Sequence, residues 1–190
     1  MRKLTYYVAT TIDGFIADPD GGFGFFPEAE DMARFLNSAQ PETVPTAFRG
    51  PAGLEGVANK RFDTVLMGRG TYQPALDAGI TSPYGHLRQY VVSTTIAEIT
   101  DPEVELVTGD PVELVRRLKQ EDGLGIWLCG GGKLAGTLLP EIDELIIKRY
   151  PVVIGAGIPV FSAPFQPQLF DLVDTRTFSN GAVVLTYTKK

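Results

Sequence analysis

The middle of the chain alternates short apolar runs with segments of helical periodicity. This alternation favours parallel strands that are joined by helical crossovers. Runs rich in Val, Ile, Leu, Tyr, Phe and Thr that end in turn residues predict the strands. The predicted strands are Lys3–Thr10, Asp63–Met67, Gln89–Ser93, Gly125–Cys129, Glu144–Val153, Leu169–Phe178 and Ala182–Thr188, with a weaker short one at Glu103–Val107.

The clearest predicted helix is Pro111–Gln120. Its apolar residues Val112, Val115 and Leu118 recur at helical spacing. Asp110 is placed to cap this helix, and a proline occupies its first position, where the missing N–H costs nothing. The other predicted helices are Glu28–Ala39, approximately Gly53–Asn59, a short one from Gly70, and Lys133–Leu139.

The chain ends in two long predicted strands joined by Ser179-Asn180-Gly181, and Asn-Gly is a strong hairpin signal. The predicted fold class is therefore α/β, with a mixed, mostly parallel sheet and an antiparallel C-terminal hairpin. A length of 190 residues suits one domain, and we expect residues 1–190 to form it. Between Asp18 and Lys60 lies a long, Gly- and Pro-rich segment, which predicts either a wall or lid of a substrate site or a plain surface excursion.

Charge and cysteine content limit the classes of function. The formal net charge of −6 disfavours non-specific nucleic-acid binding, although local positive charge can still hold an anionic cofactor. Cys129 is the only cysteine, so no internal disulfide can form, and we expect a cytoplasmic protein. The polar first residues do not resemble a signal peptide, and no apolar run approaches the roughly 20 residues of a membrane span.

The first candidate binding turn follows the apolar run that ends at Met67. Gly68 lets a ligand approach the backbone, Arg69 can clamp a phosphate, and Thr71 can donate its hydroxyl. A helix that starts near Gly70 would add free N–H groups for an anion. The same pattern also fits an ordinary strand–turn–helix with a solvated arginine.

The second candidate turn follows Tyr90-Val91-Val92 and consists of Ser93, Thr94 and Thr95. Hydroxyl groups at the carboxyl end of a parallel strand are well placed to bind a ribose 2′-phosphate. A simple helix cap or a serine/threonine turn explains these residues equally well.

The third candidate turn is the glycine triplet Gly130–Gly132, which follows an apolar strand and precedes a helix. The run from Gly130 to Ala135 satisfies G-x-G-x-x-G/A, but its late position and short helix argue against a true Rossmann unit. A flexible tight turn is the alternative. Successive glycines cost backbone entropy, which indicates that something approaches this backbone closely.

These motifs together resemble a known superfamily. Met67-Gly68-Arg69-x-Thr71-Tyr72 and Cys129-Gly130-Gly131-Gly132-Lys133-Leu134 resemble motifs of dihydrofolate reductases. Val8–Ala17 and Pro151–Phe161 are similar to the reductase domain of bacterial riboflavin biosynthesis, the RibD C-terminal type. The resemblance spans nearly the whole chain except Asp18–Lys60. It implies a three-layer, dihydrofolate reductase-like fold.

The resemblance also implies NADPH as the cofactor. Ala9 and Ile16 would flank the nicotinamide. Arg69, with Ser93 and Thr94, would hold the adenosine 2′-phosphate. The pyrophosphate would be lined by Gly68, Thr71, Gly130, Gly131, Gly132, Lys133 and Leu134. One departure is Ala135, where dihydrofolate reductases usually carry a tyrosine.

Two acids are candidates for the catalytic group. Asp31-x-Ala33-x-Phe35 resembles the helix on which dihydrofolate reductases place their substrate-binding acid. Desolvation by an aromatic cluster of Phe23, Phe25, Phe26 and Phe35 would raise its pKa. An exposed acid in the first helical turn is the alternative. Asp13, from its place in the opening strand motif, is the second candidate, or else it only caps the turn that follows it. We expect His86, the only histidine, to lie at the surface.

The predicted function is an NADPH-dependent reductase of a small heteroaromatic substrate, either a pteridine or a ribosylated aminopyrimidine. A non-catalytic NADP(H)-binding or sensor module is the alternative. The chain shows no zinc signature, and we predict no metal. The expected partner, besides the small-molecule substrate, is a second copy of the chain. Related riboflavin-type reductases often pair, and the apolar C-terminal strands offer a self-complementary surface.

Overall fold

The computed structural model describes residues 1–190, and most of its strands belong to one large sheet. In chain order the strands are β1 (Leu4–Thr10), β2 (Phe15–Ala17), β3 (Phe62–Gly68), β4 (Arg88–Val92), β5 (Val104–Val107), β6 (Gly125–Gly130), β7 (Glu144–Arg149), β8 (Ile158–Pro159), β9 (Phe170–Thr177) and β10 (Val183–Lys189). The helices are α1 (Glu30–Ala39), α2 (Thr46–Arg49), α3 (Arg69–Asp77), α4 (Pro111–Lys119) and α5 (Gly132–Leu138), with 3-10 turns at Pro41–Thr43 and Leu139–Glu141.

Eight strands form a mixed sheet in the order β5-β4-β3-β6-β1-β7-β10-β9. The strands from β5 to β7 run parallel, whereas β10 is antiparallel to both β7 and β9. At the hairpin turn, Gly181 has a φ of +80°, a value that glycine adopts without strain. The predicted mostly parallel sheet with an antiparallel C-terminal hairpin is confirmed.

Apolar side chains cover both faces of the sheet, because alternate residues of a strand point to opposite faces. On one face, α4 and α5 pack through Leu114, Leu118 and Leu138. On the other face, α1 and α3 bring Met32 and Tyr72 against the strands. The result is three layers, as predicted. None of the helices is long and apolar enough to cross a bilayer.

Two predicted elements differ from the structure, and one small strand pair was not predicted. The helix predicted at Gly53–Asn59 is wrong, because Gly53 and Gly56 have φ values of +68° and +70°, which break a right-handed helix. A shorter helix, α2, lies just before this region. The predicted strand Glu144–Val153 ends at Arg149, shortly before a proline that cannot donate to the ladder. The small pair of β2 and β8 was not predicted, because neither strand exceeds three residues.

A buried carboxylate anchors the segment between Asp18 and Lys60. Glu42 is fully buried, and its side chain accepts hydrogen bonds from the backbone N–H groups of Lys60, Arg61 and Phe62 at 3.2, 2.7 and 2.7 Å. These contacts fix the Pro41–Thr43 turn to the start of β3. The segment is therefore tied to the sheet at this point.

The sheet order brings several strand ends together. β6 lies between β3 and β1, so the carboxyl ends of these three strands meet at one edge of the sheet. Met67 pairs with Gly130, and Gly68 pairs with Val92. In open α/β sheets, ligands bind outside the carboxyl ends of the strands. The three candidate turns follow β3, β4 and β6 and lie side by side at this edge.

Candidate functional site

The glycine turn after β6 packs against the first turn of α3. A Cβ built on Gly130 would lie 3.2 Å from Oγ1 of Thr71, and one on Gly131 would lie 3.7 Å from the same oxygen and 3.8 Å from Cδ1 of Ile16. Gly130 has a φ of +143°, and its peptide bond to Gly131 is cis. A side chain at either glycine would fill the space between Thr71 and Ile16, so the turn presents bare backbone there.

Gly68 closes the other side of this space. A Cβ on Gly68 would lie 3.4 Å from both the oxygen of Gly130 and the nitrogen of Gly131. The turns after β3 and β6 therefore touch through backbone atoms. The tertiary structure brings together Ile16, Gly68, Thr71 and the first two glycines of the triplet, although they come from three separate parts of the chain.

The third glycine of the triplet, Gly132, is needed for a different reason, namely the close packing of α5. A Cβ on Gly132 would lie 2.1 Å from the carbonyl oxygen of Pro159, and one on Gly136 would lie 2.0 Å from that of Ser162. The Ser162 N–H also donates to the Gly132 carbonyl at 2.9 Å. These two glycines let α5 pack closely on β8 and on the residues that follow it. Along the same helix, Lys133 is exposed and Leu134 is buried in the core.

Arg69 connects the turn after β3 with the turn after β4. Its guanidinium donates to Oγ1 of Thr95 at 2.9 Å, and it is exposed. Ser93 is buried, and its hydroxyl accepts from the N–H groups of Thr95 and Ile96, both at 3.1 Å, so it forms a serine turn. Thr94 is exposed beside it. Sequence reasoning quoted Thr95 in this turn but did not select it as a site residue.

The sheet edge thus carries a continuous strip that runs from Ile16 past the glycine turn to Arg69 and Thr95. It offers bare backbone, a threonine hydroxyl and one guanidinium, that of Arg69, which belongs to no ion pair. This combination suits an extended anionic ligand, because guanidinium and backbone N–H groups are good phosphate donors.

A cavity of about 380 Å³ lies beside the strip, between the sheet and α1. The strands β1, β6 and β7 form its floor, and the segment between Asp18 and Lys60 forms its outer wall. Most of its lining residues are apolar. They are Tyr7, Val8, Ala9, Ala33, Leu36, Asn37, Thr43, Val44, Pro45, Tyr84, Trp127, Cys129 and Lys148.

Lys148 is the only charged residue in this lining. Its Nζ lies 4.3 Å from the centroid of the Tyr7 ring, in cation–π contact. Burial by itself lowers the pKa of Lys148, but the side chains of Tyr7, Tyr150 and Cys129 outweigh it and the pKa is raised. Lys148 is therefore an ammonium ion at neutral pH.

The Cys129 thiol and the Tyr84 hydroxyl, which also line the cavity, stay neutral at neutral pH. Burial raises the pKa of the Cys129 thiol to about 12 and raises the pKa of the Tyr84 hydroxyl well above its ordinary value. No lining residue is a carboxylate. The cavity is therefore an apolar space with one positive charge on its floor.

The structure gives Asp31 a different environment from the one predicted. Its carboxylate accepts from the backbone N–H and the hydroxyl of Ser179, at 2.9 and 2.8 Å, and from the Met32 N–H at 2.9 Å. These hydrogen bonds, led by those from Ser179, lower the pKa of Asp31. The predicted desolvated acid with a raised pKa is wrong. Asp31 does not line the cavity, and it ties α1 to the β9–β10 hairpin.

Asp13 is likewise engaged by backbone. Its carboxylate accepts from the Gly155 N–H at 2.8 Å and from the Ile154 N–H at 3.2 Å. A hydrogen bond from the Thr11 side chain, followed by those from the backbone, lowers the pKa of Asp13. It fastens the turn after β1 to the loop before β8, 141 and 142 residues further along the chain, and does not merely cap the turn that follows it.

The aromatic residues do not gather around Asp31 as expected. Phe26 packs on Phe25 and on Tyr150, with ring centroids 4.6 and 4.8 Å apart, whereas Phe35 packs on Phe178 at 5.6 Å. Phe23 is exposed. The predicted aromatic cluster is therefore split into two separate groups, one around Phe26 and one formed by Phe35 and Phe178.

His86 is also not a free surface residue. Its Nε2 lies 2.8 Å from the carbonyl oxygen of Glu42, and its Nδ1 lies 3.1 Å from Oγ1 of Thr46. The ring is half-buried, and burial lowers its pKa. His86 joins the loop before β4 to the segment that walls the cavity.

Of the residues on the cavity floor, only Ala9 was selected from the sequence. Tyr7 and Ala9 on β1, and Trp127 and Cys129 on β6, share a face because side chains two positions apart in a strand point the same way. A lysine within the apolar run Leu145-Ile146-Ile147-Lys148 was the available signal, because charged residues are rarely buried without a reason.

Comparison with known proteins points to one family. The model of the RibD C-terminal domain family matches residues 2–184. Two Bacillus subtilis proteins, described as uncharacterized proteins YwjB and YyaP, are 32% and 29% identical over 99% and 98% of this chain, and over 98% and 94% of their own lengths.

Solved structures agree with this result. A putative riboflavin biosynthesis protein from Shewanella sp. PV-4 superposes with a TM-score of 0.71 at 25% identity, covering 99% of both chains. A diaminohydroxyphosphoribosylaminopyrimidine deaminase/5-amino-6-(5-phosphoribosylamino)uracil reductase from Thermotoga maritima has the same fold, with a TM-score of 0.67 at 18% identity; this chain spans 57% of its length. The predicted resemblance and the predicted fold are both confirmed.

Proposed function

This chain belongs to the RibD C-terminal domain family, and we propose that it is an NADPH-dependent reductase of a small heteroaromatic substrate of the pteridine or ribosylated aminopyrimidine kind. Family membership supports a reductase-like enzyme. The cofactor and the class of substrate are the proposed part. An NADPH-consuming enzyme with one free cysteine suits the reducing cytoplasm, and the proposal includes that location.

The strip along the sheet edge would hold the dinucleotide. Arg69, Ser93 and Thr94, together with Thr95, would bind the adenosine 2′-phosphate. Gly68, Thr71 and the turn from Gly130 to Leu134 would line the pyrophosphate. Within that turn, Gly132 and Leu134 contribute through backbone, because the packing of α5 occupies their side-chain positions. When bound, the reduced nicotinamide supplies the hydride.

The observation that carries the proposal is the junction between strip and cavity. Cys129 lines the cavity, and the next residue, Gly130, forms the strip. Ala9, which is expected to flank the nicotinamide, also lines the cavity. A ring in the cavity would therefore lie beside a nicotinamide on the strip, which is the proximity that hydride transfer requires.

A non-catalytic NADP(H)-binding or sensor module is the second candidate. One observation favours it, namely that Asp13 and Asp31 are both engaged by backbone N–H groups and have lowered pKa values. Neither is therefore suited to donate a proton near neutral pH. The two candidates differ in turnover and share cofactor binding.

NADPH oxidation by the purified protein distinguishes them. The assay would use dihydrofolate and the ribosylated aminopyrimidinone of riboflavin synthesis, with NADPH binding measured separately by quenching of Trp127 fluorescence. We expect binding, and oxidation with one of the substrates. Binding without turnover on a broad panel of heteroaromatic rings would favour the sensor, and absence of binding would contradict both candidates.

A further inference from the structure

The cavity floor holds a positive charge that no carboxylate neutralises. Lys148 belongs to none of the ten ion pairs in the structure, which include the largely buried side chains of Arg2 and Lys119. An isolated ammonium among apolar groups is unfavourable unless something pairs with it. In the protein, Nζ lies over the Tyr7 ring near Tyr150 and Cys129 and has no carboxylate partner, so its N–H groups can serve a ligand.

The charge of the whole lining follows from its composition. The Cys129 thiol and the Tyr84 hydroxyl stay neutral, and Asn37 and Thr43, which also line the cavity, have side chains that carry no charge. With one ammonium and no carboxylate, the cavity has a net charge of +1. Asp31 and Asp13 do not contribute, because they face the hairpin turn and the loop before β8.

We propose that the cavity takes a flat, phosphate-free heteroaromatic ring that presents a carbonyl or enolate oxygen to Lys148, and that Lys148 is the proton donor of the reaction. This inference rests on the proposed function, and it names the substrate class and catalytic group of that same site. It also narrows the proposed substrates, because it excludes the phosphorylated form of the ribosylated pyrimidine.

The lining argues against the two other ring chemistries. A carboxylate is the natural partner of an aminopyrimidine edge, because it accepts from the amino and ring N–H groups, and the cavity has none. A phosphate carries about −1.5 to −2 charges and is bound best by several donors or an arginine fork. One ammonium matches a single oxygen better than it matches a phosphate.

Proton donation by Lys148 balances the reduction. A hydride supplied by the reduced nicotinamide would form a new C–H bond at a ring carbon whose C=C double bond is conjugated with the bound carbonyl group. The π electrons of that double bond would shift along the conjugated system onto the carbonyl oxygen to give an enolate, so the ring would be reduced by two electrons and the nicotinamide oxidised. An Nζ–H of Lys148 donates its proton to the resulting enolate, and the neutral amine regains a proton from water.

Three small probes test the charge preference without cofactor or turnover. Barbiturate is a flat, singly charged anion with carbonyl oxygens. The ring of 2,4-diaminopyrimidine has a similar shape but presents amino groups. Ribose 5-phosphate carries a phosphate and no aromatic ring. Calorimetry would measure each dissociation constant, and quenching of Trp127, the only tryptophan, would place the ligand in the cavity. We expect barbiturate to bind tightest. Tighter binding of either other probe overturns the proposal.

Variants then assign the preference to Lys148. Lys148→Met is expected to weaken barbiturate roughly ten- to hundredfold, as loss of a charged hydrogen bond does. Lys3→Met, which removes an exposed lysine, is the matched control and should change nothing. Asn37→Asp adds a carboxylate of the same shape to the lining, so it should weaken barbiturate and strengthen 2,4-diaminopyrimidine. Equal affinity of wild type and Lys148→Met for barbiturate contradicts the proposal even if Asn37→Asp fails to fold.

These experiments can disprove this inference without disproving the proposed reductase function. Binding of the probes is measured without NADPH, so a cavity that prefers the diaminopyrimidine disproves this inference while leaving the reductase proposal intact. If Lys148→Met binds NADPH normally but loses turnover of a reducible oxo-ring, and Lys148→Arg restores part of it, the proton-donor role is supported. Unchanged turnover in Lys148→Met disproves that role.

Discussion

The carboxylate of Asp31 accepts two hydrogen bonds from Ser179, one from the backbone N–H at 2.9 Å and one from the hydroxyl at 2.8 Å. Nearby, Asn180 donates to the Pro27 carbonyl oxygen at 2.8 Å. These contacts hold the beginning of α1 on the C-terminal hairpin. Because α1 carries Ala33, Leu36 and Asn37 of the cavity wall, Asp31 acts on the cavity by positioning that wall.

Replacing Asp31 by asparagine tests this role. If a substrate is found, we expect Asp31→Asn to keep the pH profile of kcat and to raise KM, because the wall is displaced and no proton donor is lost. Loss of a general acid would instead reduce kcat by roughly 10²–10⁴. Steady-state kinetics from about pH 5 to 8 would decide. A large drop in kcat with an altered pH profile would restore Asp31 as a catalytic candidate.

A second prediction concerns the choice between nucleotides. Arg69→Ala should weaken NADPH about tenfold or more and leave NADH nearly unchanged, because a guanidinium–phosphate hydrogen bond contributes roughly 1.5–3 kcal/mol. Titration of Trp127 fluorescence with both nucleotides measures this. The matched control is Arg34→Ala on the exposed face of α1. Equal affinity of the wild type for NADPH and NADH would contradict the assignment of the 2′-phosphate site.

The glycine turn predicts an effect on both stability and binding. In Gly130→Ala, the alanine backbone would have to adopt a φ of +143°. Its Cβ would also lie 3.2 Å from Oγ1 of Thr71. We expect a loss of roughly 1–2 kcal/mol in the free energy of unfolding and a clear loss of NADPH affinity. Gly50→Ala is the control, because Gly50 has a φ of −57° and open space around its Cβ position. Urea unfolding and nucleotide titration would test both effects.

His86 predicts a pH dependence of stability. Burial lowers its pKa in the folded state below the value of 6.5 for the unfolded chain, so the unfolded state binds more protons. Its contribution to stability is therefore complete above about pH 6.5 and is lost as the pH falls through the folded pKa. Asp13 and Asp31, whose pKa values are lowered, lose their contributions only below about pH 4.

The measurement is the urea midpoint at about pH 7.5 and about pH 5.5, on either side of the usual histidine pKa. We expect the wild type to lose stability over this interval, and His86→Gln, which cannot titrate, to lose less. An identical loss in the two proteins would show that His86 does not titrate in this way.

The last prediction concerns assembly. β9 is an edge strand of the sheet, and Leu172 and Val173 on it are 54% and 55% exposed. Exposed apolar side chains on an edge strand can meet their own copies across a two-fold axis. We predict a homodimer through β9, which sedimentation should detect as about twice 20.6 kDa. Leu172→Glu should then give monomers, with Leu76→Glu on α3 as the control. A wild-type monomer at micromolar concentration contradicts the prediction.

The sequence by itself determined the features that depend on neighbours along the chain. Apolar runs that end in glycine, arginine or hydroxyl residues identified the turns after β3, β4 and β6, and Asn180-Gly181 identified the hairpin. Such signals are local, because a turn is specified by the backbone freedom of its own few residues. The order of these motifs also sufficed to recognise the family and its fold.

Only the tertiary structure decided the chemistry of the cavity and the role of the acids. Lys148 comes from β7 and Tyr7 from β1, and the crossover order of the sheet places them in contact. Asp31 finds its partner Ser179 at a separation of 148 residues. A pKa and a charge balance depend on such distant neighbours, so a pattern of adjacent residues that placed Asp31 correctly on a helix predicted the wrong environment for its carboxylate.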